Sequence, residues 1–387
     1  MDKILILPEK YDIVHTWWPY WVVSNLFKND YKKRFKFIEK KWIIERSSTL
    51  SNWFFKKNLR KIWLIYIIFF LKKLLHIYIH YIYNKKKEKT IICHDTFFAF
   101  SFIFFKKVNS ITFIYHGQWP SYNEIINIWW AGKSYFLKKF LEFFEGYVFK
   151  KSTFIWFPSF WAYEAFINNT NPYIKKILKN ALNEWRIKIL YNWINLEQNY
   201  KMNGAFEKKE NELLFTTVST LNYEKWVDRI PDLIAKLKKW GINLKWILVW
   251  NWKYISEIKN KISKLWLESN VEIYQNPFSK EEIIWLFKKS DFYIMLHRIS
   301  IFDYATLEAM NEGNIPILSN IGWNKEVIKD KNGFLVNEND ITEKEFREII
   351  NFIKNLDIIE FKKKNKEVVK NYFTEKNFID WYYSLYE

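Results

Sequence analysis

The sequence predicts an α/β protein made of two Rossmann-like, doubly wound domains. Short apolar segments of strand length alternate with longer helical segments along most of the chain, which is typical of parallel sheets covered on both faces. The chain has 387 residues, enough for two ordinary domains. A polar stretch with poor periodicity, residues 192–211, separates the two series of strands and predicts the join.

The first domain is expected to span residues 1–190. Its strands are predicted at residues 3–7, 34–38, 90–93, 111–115, 153–157 and 188–191. A helix is predicted to open at residues 22–27, and longer helices are predicted over residues 58–83 and 134–150.

The second domain, residues 191–365, repeats the alternation more clearly. Its strands are predicted at residues 213–219, 246–250, 271–275, 292–296, 315–319 and 333–336. Its helices are predicted at residues 228–239, 253–265, 279–289, 304–312 and 324–328. A final helix at about residues 361–387 ends in aromatic residues, so the segment 366–387 is expected to pack back on the first domain.

The composition excludes several classes of protein. Hydrophobic residues make up 49% of the chain, which excludes a disordered or collagen-like protein. The single cysteine, Cys93, excludes a disulfide framework and a cysteine-rich zinc site. Lys and Arg number 61 against 42 Asp and Glu, so the formal net charge is +19. This charge reflects either codon bias toward lysine or attraction to an anionic membrane surface.

The sequence also predicts where in the cell the protein is found. The longest uncharged apolar run, residues 62–71, is too short to span a bilayer. The N-terminal sequence MDKILILPEK has no signal-peptide features, so we expect a cytoplasmic protein. Residues 56–83 mix lysines with apolar and aromatic residues. They form either a buried helix of the first domain or a peripheral helix on the inner face of the membrane.

Tryptophan and glycine occur in unusual numbers and places. The chain has 22 tryptophans and only 8 glycines, although about 7% glycine is ordinary. Most tryptophans stand in turn contexts, where glycine is favoured because it reaches positive φ freely. We therefore hypothesise a genetic code in which UGA encodes glycine, so that many of these tryptophans are glycines in the cell. The alternative is a truly tryptophan-rich protein. Trp246, inside an apolar strand, is expected to be genuine.

Residues 302–328, FDYATLEAMNEGNIPILSNIGWNKEVI, carry the clearest chemical signal. They predict a helix that stops at Gly313, then a strand, a glycine turn and a second helix. The helix N-terminus offers backbone N–H groups to a phosphate, and Glu308 in its first turns can accept hydrogen bonds from ribose hydroxyls. Glu308 taken alone is also explained as an acidic residue on a helix surface.

This stretch resembles the donor-binding signature of the retaining GT-B glycosyltransferases of family 4, the glycosyl transferases group 1. The resemblance covers almost the whole chain and is strongest at residues 213–336. The segments STLNYEKWVD, LVWNWK, ILYNWIN and HTWWPYWVVSNL resemble glycine-containing elements of the same family. Tryptophan stands where the family has glycine at Trp17, Trp18, Trp21, Trp193, Trp226, Trp250, Trp252 and Trp323.

The resemblance implies two domains that face each other across a cleft, with roles for particular residues. As catalytic residues, Lys225 would contact the donor pyrophosphate, Glu308 would bind the ribose, and His116 would face the sugar and acceptor. Lys225 is otherwise a solvated loop lysine, and His116 a strand-end histidine bonded to backbone. His15 and His94 are further candidates. The expected donor-binding residues are Trp17, Trp18, Lys225, Trp252, Arg298, Ser300, Asp303, Ala305, Thr306, Leu307 and Glu308.

The sequence departs from the family pattern at two positions. The family often has two glutamates separated by seven residues, but Ser300 stands at the first position, where Asp303 could replace the carboxylate. An arginine often precedes the pyrophosphate lysine, but Thr220 stands there, and Arg298 could supply the charge.

The resemblance further implies a hexosyltransferase-like reaction with retention, without a metal ion or cofactor, in which the nucleotide-sugar is a substrate. No Asp-x-Asp follows a predicted strand, which agrees with a metal-independent enzyme. The expected partners are a nucleotide-sugar donor and a glycan or lipid-linked acceptor in cell-surface polysaccharide synthesis, with no nucleic acid.

Three other functions stay open. A nucleotide-sugar epimerase of the same fold would turn over the donor without an acceptor. A nucleic-acid-binding protein would agree with the basic charge, but the aromatic residues follow core periodicity and no nucleic-acid motif is present. A catalytically inactive scaffold would agree with Ser300 and Thr220.

Overall fold

The computed structural model of this chain describes residues 4–7, 35–37, 90–94, 96–104, 110–115, 120–121, 123, 135–194, 196, 208–219, 227–249, 255–274, 278–298, 300, 302–329, 331–337 and 341–384. The chain divides into two compact units, Met1–Leu190 and Tyr191–Glu387. The helices predicted at residues 22–27 and 58–83 lie outside the described residues.

The first unit holds a six-stranded parallel sheet with the strand order β2-β1-β3-β4-β5-β6. Its strands are β1 (Ile4–Leu7), β2 (Phe35–Phe37), β3 (Thr90–Cys93), β4 (Ser110–Ile114), β5 (Phe154–Phe157) and β6 (Ile187–Ile189). Its described helices are α1 (Thr96–Phe104), α2 (Tyr135–Lys151), α3 (Phe160–Asn169) and α4 (Pro172–Asn183). Central strands are apolar because helices cover both faces: Ile91, Phe113 and Ile155 are all buried.

Helices α3 and α4 begin at side-chain caps. The hydroxyl of Ser159 accepts a hydrogen bond from the N–H of Ala162 at 2.9 Å, and Oδ1 of Asn171 accepts one from Ile174 at 2.9 Å. Pro172 occupies the first turn of α4, where its missing N–H has no helical partner to lose.

The second unit holds another six-stranded parallel sheet, with the order β12-β11-β10-β7-β8-β9. Its strands are β7 (Leu213–Val218), β8 (Leu244–Val249), β9 (Val271–Tyr274), β10 (Phe292–Met295), β11 (Ile315–Ser319) and β12 (Phe334–Val336). Its described helices are α5 (Ile230–Lys239), α6 (Ile255–Lys264), α7 (Lys280–Lys289), α8 (Tyr304–Asn311), α9 (Asn324–Val327), α10 (Glu343–Lys354), α11 (Ile358–Tyr372) and α12 (Glu375–Ser384).

The strand order of the second sheet creates a topological switch point. From β7 the chain builds β8 and β9 on one side, and it then returns to place β10, β11 and β12 on the other. β7 and β10 are therefore neighbours, with Phe215 paired to Phe292. Connections leave these two strands in opposite directions, which opens a crevice at their carboxyl ends.

The strands predicted from the sequence are all present, with ends that differ by no more than two residues. The single final helix predicted at about residues 361–387 is wrong, because two helices, α11 and α12, share this segment. The helix breaks at Phe373 and Thr374, where the carbonyl of Phe373 accepts the N–H of Ile194 at 3.0 Å and Thr374 pairs with Ile194 in a parallel bridge. Thr374 then starts α12 by accepting the N–H of Asn377 at 3.1 Å.

Helix α12 packs within the second unit. The rings of Trp193 and Phe378 lie 3.9 Å apart between centroids, and both residues are buried. Packing of the chain end on the first domain stays a prediction.

Four helices end with the same hydrogen-bond pattern. After α4, α5, α6 and α8, one residue takes positive φ; these residues are Trp185 (59°), Gly241 (82°), Trp266 (54°) and Gly313 (97°). In each case the N–H of the residue at positive φ donates to the carbonyl of the residue three positions earlier. The N–H of the next residue donates to the carbonyl of the residue five positions before itself. The donor–acceptor distances are 2.9–3.1 Å. This is the Schellman motif, in which glycine is the usual residue at positive φ.

Candidate functional site

The candidate residues of the second unit gather at one edge of its sheet. Because the strands are parallel, their carboxyl ends meet at this edge, and the loops after β10 and β11 lie there together. Arg298 and Ser300 follow β10, Asp303 precedes α8, and Asn324 begins α9 after β11. Open α/β sheets bind ligands at such an edge beside the switch point.

Asp303 caps the N-terminus of α8. Its Oδ2 accepts hydrogen bonds from the N–H of Thr306 at 3.2 Å and from the hydroxyl of the same residue at 2.6 Å. The phenol of Tyr293, a fully buried residue of β10, donates to this oxygen at 3.2 Å. Burial and the charge of Asp303 raise the pKa of Tyr293 well above its usual value, so the phenol stays a donor. Asp303 therefore ties the helix to the sheet.

The backbone amides expected to face a phosphate lie in the first turn of α8. The N–H of Thr306 donates to the Asp303 carboxylate, and the N–H of Leu307 donates to the Asp303 carbonyl at 3.4 Å. Two of the three backbone N–H groups, those of Thr306 and Leu307, therefore already donate to Asp303. Contact of Ala305, Thr306 and Leu307 with a phosphate stays a prediction, and at Thr306 it requires the carboxylate to move.

Glu308 lies one turn further along α8 and pairs with a lysine of α7. The ammonium group of Lys280 donates to Oε1 of Glu308, whose side chain is only 14% exposed. Burial raises the pKa of Glu308, while Lys280 opposes this shift and Asp303 adds to it. Oε2 has no hydrogen-bond partner among the described residues, so the carboxylate keeps an acceptor for a ligand.

Ser300 joins the loop after β10 to the loop after β11. Its buried hydroxyl donates to Oδ1 of Asn324 at 2.7 Å, and its carbonyl accepts the N–H of Trp323 at 3.0 Å. Trp323 is fully buried, with its ring 4.5 Å from that of Phe302 between centroids. Within the described part of the chain, its indole N–H has no acceptor. Ser300 thus makes a structural contact between the two loops.

Arg298 places a positive charge at the same edge. Its two terminal nitrogens approach the carboxylate oxygens of Asp228 at 3.5 and 3.4 Å. The Arg298 side chain is 21% exposed, so the pair remains accessible to water and to a dissolved anion. A two-point contact of this kind orients the planar guanidinium group.

Several expected site residues lie outside the described residues. They are His15, Trp17, Trp18, His116, Thr220, Lys225 and Trp252. Their roles stay predictions. His94 is described: it is buried and directly follows β3, at the carboxyl edge of the first sheet.

The first unit holds a buried carboxyl group that the sequence analysis did not single out. Oε1 of Glu145, on α2, accepts hydrogen bonds from the N–H and hydroxyl of Ser121 at 2.8 and 2.5 Å. The phenol of Tyr115, just after β4, lies 3.5 Å from the same oxygen. Burial raises the pKa of Glu145 to about 7, although these hydrogen bonds oppose the shift. In the described part of the molecule, Oε2 is buried without a partner.

Three residues that contact the expected site residues were not predicted from the sequence: Lys280, Tyr293 and Asn324. Lys280 and Tyr293 give no local signal, because their partners are reached only through the fold. The position of Asn324, directly after the glycine-containing turn, is the one signal that could have found it.

The described residues contain no group of three or more His, Cys, Asp or Glu side chains placed to hold a metal ion. In the same parts of the chain, no helix has the length and apolar character needed to cross a membrane.

Comparison with solved structures defines the class of fold. The chain is similar to the lipopolysaccharide outer core galactosyltransferase WaaB, with a TM-score of 0.66 and 15% identity over 99% of both chains. It is also similar to Anabaena HepE in complex with UDP and glucose, with a TM-score of 0.61 and 14% identity over 100% of this chain and 99% of the other. Sucrose-phosphate synthase from Thermosynechococcus elongatus has a TM-score of 0.54 and 13% identity, over 81% of this chain and 76% of its own. The fold is that of the GT-B glycosyltransferases, with two Rossmann-like domains.

The sequence of the second unit matches a particular family within this class. Residues 200–372 match the family model described as glycosyl transferases group 1. This range contains the candidate residues from Asp228 to Asn324. No curated protein matches the chain. The comparisons thus give a GT-B fold for the chain and a match to the group 1 family model over residues 200–372.

Proposed function

We propose that the protein transfers a sugar from a nucleotide-sugar donor to a glycan or lipid-linked acceptor. The reaction is hexosyltransferase-like and retains the anomeric configuration, without a metal ion or cofactor, in cell-surface polysaccharide synthesis. One observation carries the proposal: Lys280 contacts only Oε1 of Glu308, so the second carboxylate oxygen remains available to a ligand at the carboxyl edge of the sheet. It lies within the region that matches the family model.

In this proposal the chain supplies charge rather than a covalent intermediate. Glu308 accepts hydrogen bonds from the ribose, and Arg298 and Lys225 face the diphosphate. The bond from C1 of the sugar to the diphosphate oxygen breaks while the acceptor oxygen bonds to C1 on the same face, and the acceptor proton passes to the leaving phosphate oxygen. Positive groups that are already in place stabilise the negative charge growing on the leaving phosphate.

Two similar structures suggest the first ligands to test. The HepE structure contains UDP and glucose, and that of an Arabidopsis starch synthase contains ADP and acarbose. Both nucleotides carry a ribose and a diphosphate, which are the groups that Glu308 and Arg298 are proposed to bind.

The proposal includes a cytoplasmic enzyme that binds peripherally to the inner face of the membrane. The formal charge of +19 supports attraction to anionic lipid, where a lipid-linked acceptor would lie. Flotation with anionic and neutral liposomes tests this part: binding to anionic vesicles that falls with salt is expected, and no binding to either would contradict it.

The central test is nucleotide binding by calorimetry, with UDP, GDP and ADP, followed by a panel of nucleotide-sugars. Glu308→Gln keeps the side-chain shape but removes the charge, and it is expected to weaken binding roughly 10- to 100-fold, the size of a hydrogen bond to a charged group. Glu312→Gln, four residues further on, is the matched control and is expected to change little.

The outcomes separate the proposal from its rivals. Equal affinities for Glu308→Gln and the unmodified site would contradict the donor site, and so would absent nucleoside diphosphate binding in the form that carries Trp17→Gly, Trp18→Gly and Trp252→Gly. Donor turnover that is independent of acceptor would indicate an epimerase. Transfer to an added acceptor is the expected result.

The tryptophans in the glycine-like loops require a second form of the protein. An indole at Trp18 or Trp252 would occupy space that a phosphate needs, so the sequence as printed is expected to bind the donor poorly. A form with Trp17→Gly, Trp18→Gly and Trp252→Gly is expected to bind it. Equal nucleotide affinity in the two forms would contradict this expectation.

A further inference from the structure

We propose that Lys280 is a positioning residue for the nucleotide, because its ammonium group holds Oε1 of Glu308 and leaves Oε2 to face the ribose hydroxyls. The inference rests on the proposed function, since it assigns a helper to the same carboxylate. The motif around Glu308 gives no hint of this lysine, which lies 28 residues earlier on a different helix.

The cap of α7 fixes the backbone of Lys280. Ser279 accepts the N–H of Glu282 at 3.2 Å, and the Glu282 carboxylate accepts the N–H of Ser279 at 2.6 Å. This reciprocal pair is a capping box, which orders the first turn of a helix. Lys280 is the first residue inside the box, so its side chain starts from an ordered position.

The surroundings of Glu308 explain why it needs a cation. The ammonium group of Lys280 and the carboxylate of Asp303 act on the Glu308 carboxyl. Burial and the Glu308 charge in turn raise the pKa of two phenols, those of Tyr293 on β10 and Tyr304 at the start of α8. Burial and the Asp303 charge favour the neutral carboxyl, while Lys280 favours the charged form. A carboxylate is a stronger acceptor for a hydroxyl than a neutral acid. Lys280 therefore maintains the acceptor in its useful state.

The contact also leaves the site open to a ligand. Lys280 contacts Oε1, and its own side chain is 44% exposed to solvent. The bound oxygen limits rotation of the carboxylate, so less side-chain entropy is lost when a ribose binds to Oε2.

The test introduces Lys280→Met and Lys280→Arg into whichever form binds a nucleoside diphosphate, the printed chain or the form with Trp17→Gly, Trp18→Gly and Trp252→Gly. Each variant is compared with the same form that keeps Lys280. Dissociation constants are measured for that nucleotide and for its 2′,3′-dideoxy analogue, from about pH 5.5 to about pH 8. Lys280→Met is expected to lose roughly tenfold in affinity for the ribonucleotide, with a larger loss at the acidic end. The dideoxy analogue is expected to bind both proteins equally, and Lys280→Arg is expected to retain the ribose preference.

Lys289→Met removes a positive charge from the other end of the same helix and is the matched control. Equal losses for the two nucleotides in Lys280→Met would overturn the inference, because they would indicate a general charge effect on the phosphates. Tighter ribonucleotide binding would also overturn it, by showing that the lysine competes with ribose. If neither the printed chain nor the form with Trp17→Gly, Trp18→Gly and Trp252→Gly binds a nucleoside diphosphate, the proposed function fails and this inference fails with it.

A second inference rests on the helix ends and is independent of the nucleotide site. We infer that Trp185 and Trp266 occupy positions built for glycine and that their codons are translated as glycine in the cell. At the two equivalent helix ends of the same molecule, Gly241 and Gly313 hold the same place in the same hydrogen-bond pattern.

The backbone at Trp185 and Trp266 has φ of 59° and 54°. In this region the Cβ of an L-residue approaches its own backbone, which disfavours a bulky side chain and leaves glycine unaffected. Crowding by neighbours is not the cause at Trp185 and Trp266, because both side chains are largely exposed to solvent. The strain therefore lies in the backbone conformation itself.

The two indoles gain nothing that offsets this strain, since each is 81% exposed. Trp246 shows the opposite situation: it is fully buried in β8, and its Nε1 donates to the hydroxyl of Thr217 at 3.0 Å. Among these three tryptophans, only Trp246 has a structural reason to be tryptophan.

The test is the stability of single variants. Trp185→Gly and Trp266→Gly are each expected to shift the unfolding equilibrium roughly 5- to 30-fold toward the folded state, by relief of left-handed strain. Trp240→Gly is the matched control, because this exposed tryptophan ends α5 at a φ of −87°, where glycine gives no relief and loses helix propensity. It is expected to be neutral or destabilising.

Peptide mass spectrometry of the protein from its own organism decides the codon assignment. Glycine at residues 185 and 266 is the expected result, and tryptophan at both would overturn the inference. Variants no more stable than the printed chain would overturn the structural argument.

Discussion

The phenol of Tyr293 donates a hydrogen bond to Oδ2 of Asp303 at 3.2 Å, linking the central strand β10 to the cap of α8. The same oxygen accepts the N–H of Thr306, so a single carboxylate oxygen joins sheet and helix. The position of Glu308, one turn further along α8, depends on this link. The proposed role of Glu308 therefore depends on a hydrogen bond between two buried residues, Tyr293 and Asp303.

Removing this phenol is expected to destabilise the second unit. Tyr293→Phe leaves the Asp303 carboxylate with one donor fewer, and the cost of losing a hydrogen bond to a charged group is about 1.5–3 kcal/mol. Tyr274→Phe is the control, because the Tyr274 phenol donates to the partly exposed Glu272 at 2.9 Å and water can replace it. Urea unfolding of both variants measures the difference. Equal losses would show that the Tyr293 contact contributes no more than a surface one.

Asp291 is expected to make the second unit sensitive to acid. It is buried, and its carboxylate accepts from Lys208 at 2.5 Å, Lys362 at 2.9 Å and the N–H of Leu214 at 3.0 Å. Burial alone would raise its pKa, but these hydrogen bonds and charges outweigh burial and lower it. A lowered folded-state pKa adds stability above the ordinary value, and this stability is lost as pH falls through the folded-state pKa.

Asp291→Asn removes that charge while leaving both lysines, so it is expected to cost about 3–5 kcal/mol at neutral pH. It is also expected to flatten the acid limb of the stability curve, since the titrating group is gone. Unfolding measured across acidic pH tests both. A variant as stable as the unmodified chain, with the same acid limb, would contradict the assignment.

Glu145 is expected to give the first unit the opposite pH dependence. Burial raises its pKa from an ordinary 4.5 to about 7, so folding favours the neutral acid. The stability it contributes is complete below the ordinary value and is lost as pH rises toward 7, by up to about 3 kcal/mol. Glu142, Tyr115 and Ser121 are the groups that act on it.

Glu145→Gln is neutral at every pH, so it is expected to remove this slope and to be more stable than the unmodified chain above pH 7. Glu164→Gln, an exposed position on α3, is the control and is expected to keep the slope. Denaturant unfolding of the three proteins at several pH values measures the effect. An unchanged slope in Glu145→Gln would show that another group is responsible.

Arg298 is expected to bind the phosphates rather than the nucleoside. Arg298→Met should lower affinity for a nucleoside diphosphate roughly tenfold or more, since a charge-assisted hydrogen bond is lost, while affinity for the nucleoside stays the same. Arg347→Met, at an exposed position on α10, is the control for net charge. Calorimetric titration with both ligands is the measurement. A parallel loss for nucleoside and nucleotide would assign Arg298 a structural role with Asp228.

The strands were predictable from the sequence because buried parallel strands are apolar on both faces, as β8 and β10 illustrate. Glu308 could be singled out from the sequence because its motif is local, and its contact with a ribose stays a prediction. Lys280 and Tyr293 were not, since only the fold brings them to Glu308 and Asp303. The break at Phe373 was missed for a similar reason: it depends on a bridge to Ile194, which lies far away in the sequence.

The central place of β7 in the second sheet has a consequence for synthesis of the chain. β8 follows β7 closely and can pair with it early, but the pairing with β10 joins residues far apart in the sequence, as from Phe215 to Phe292. Until the ribosome has released β10, one edge of β7 has no neighbouring strand. Contacts of such high sequence separation slow folding, and an open apolar strand is a site of aggregation. A nascent chain that stalls between β9 and β10 would therefore depend most on chaperones.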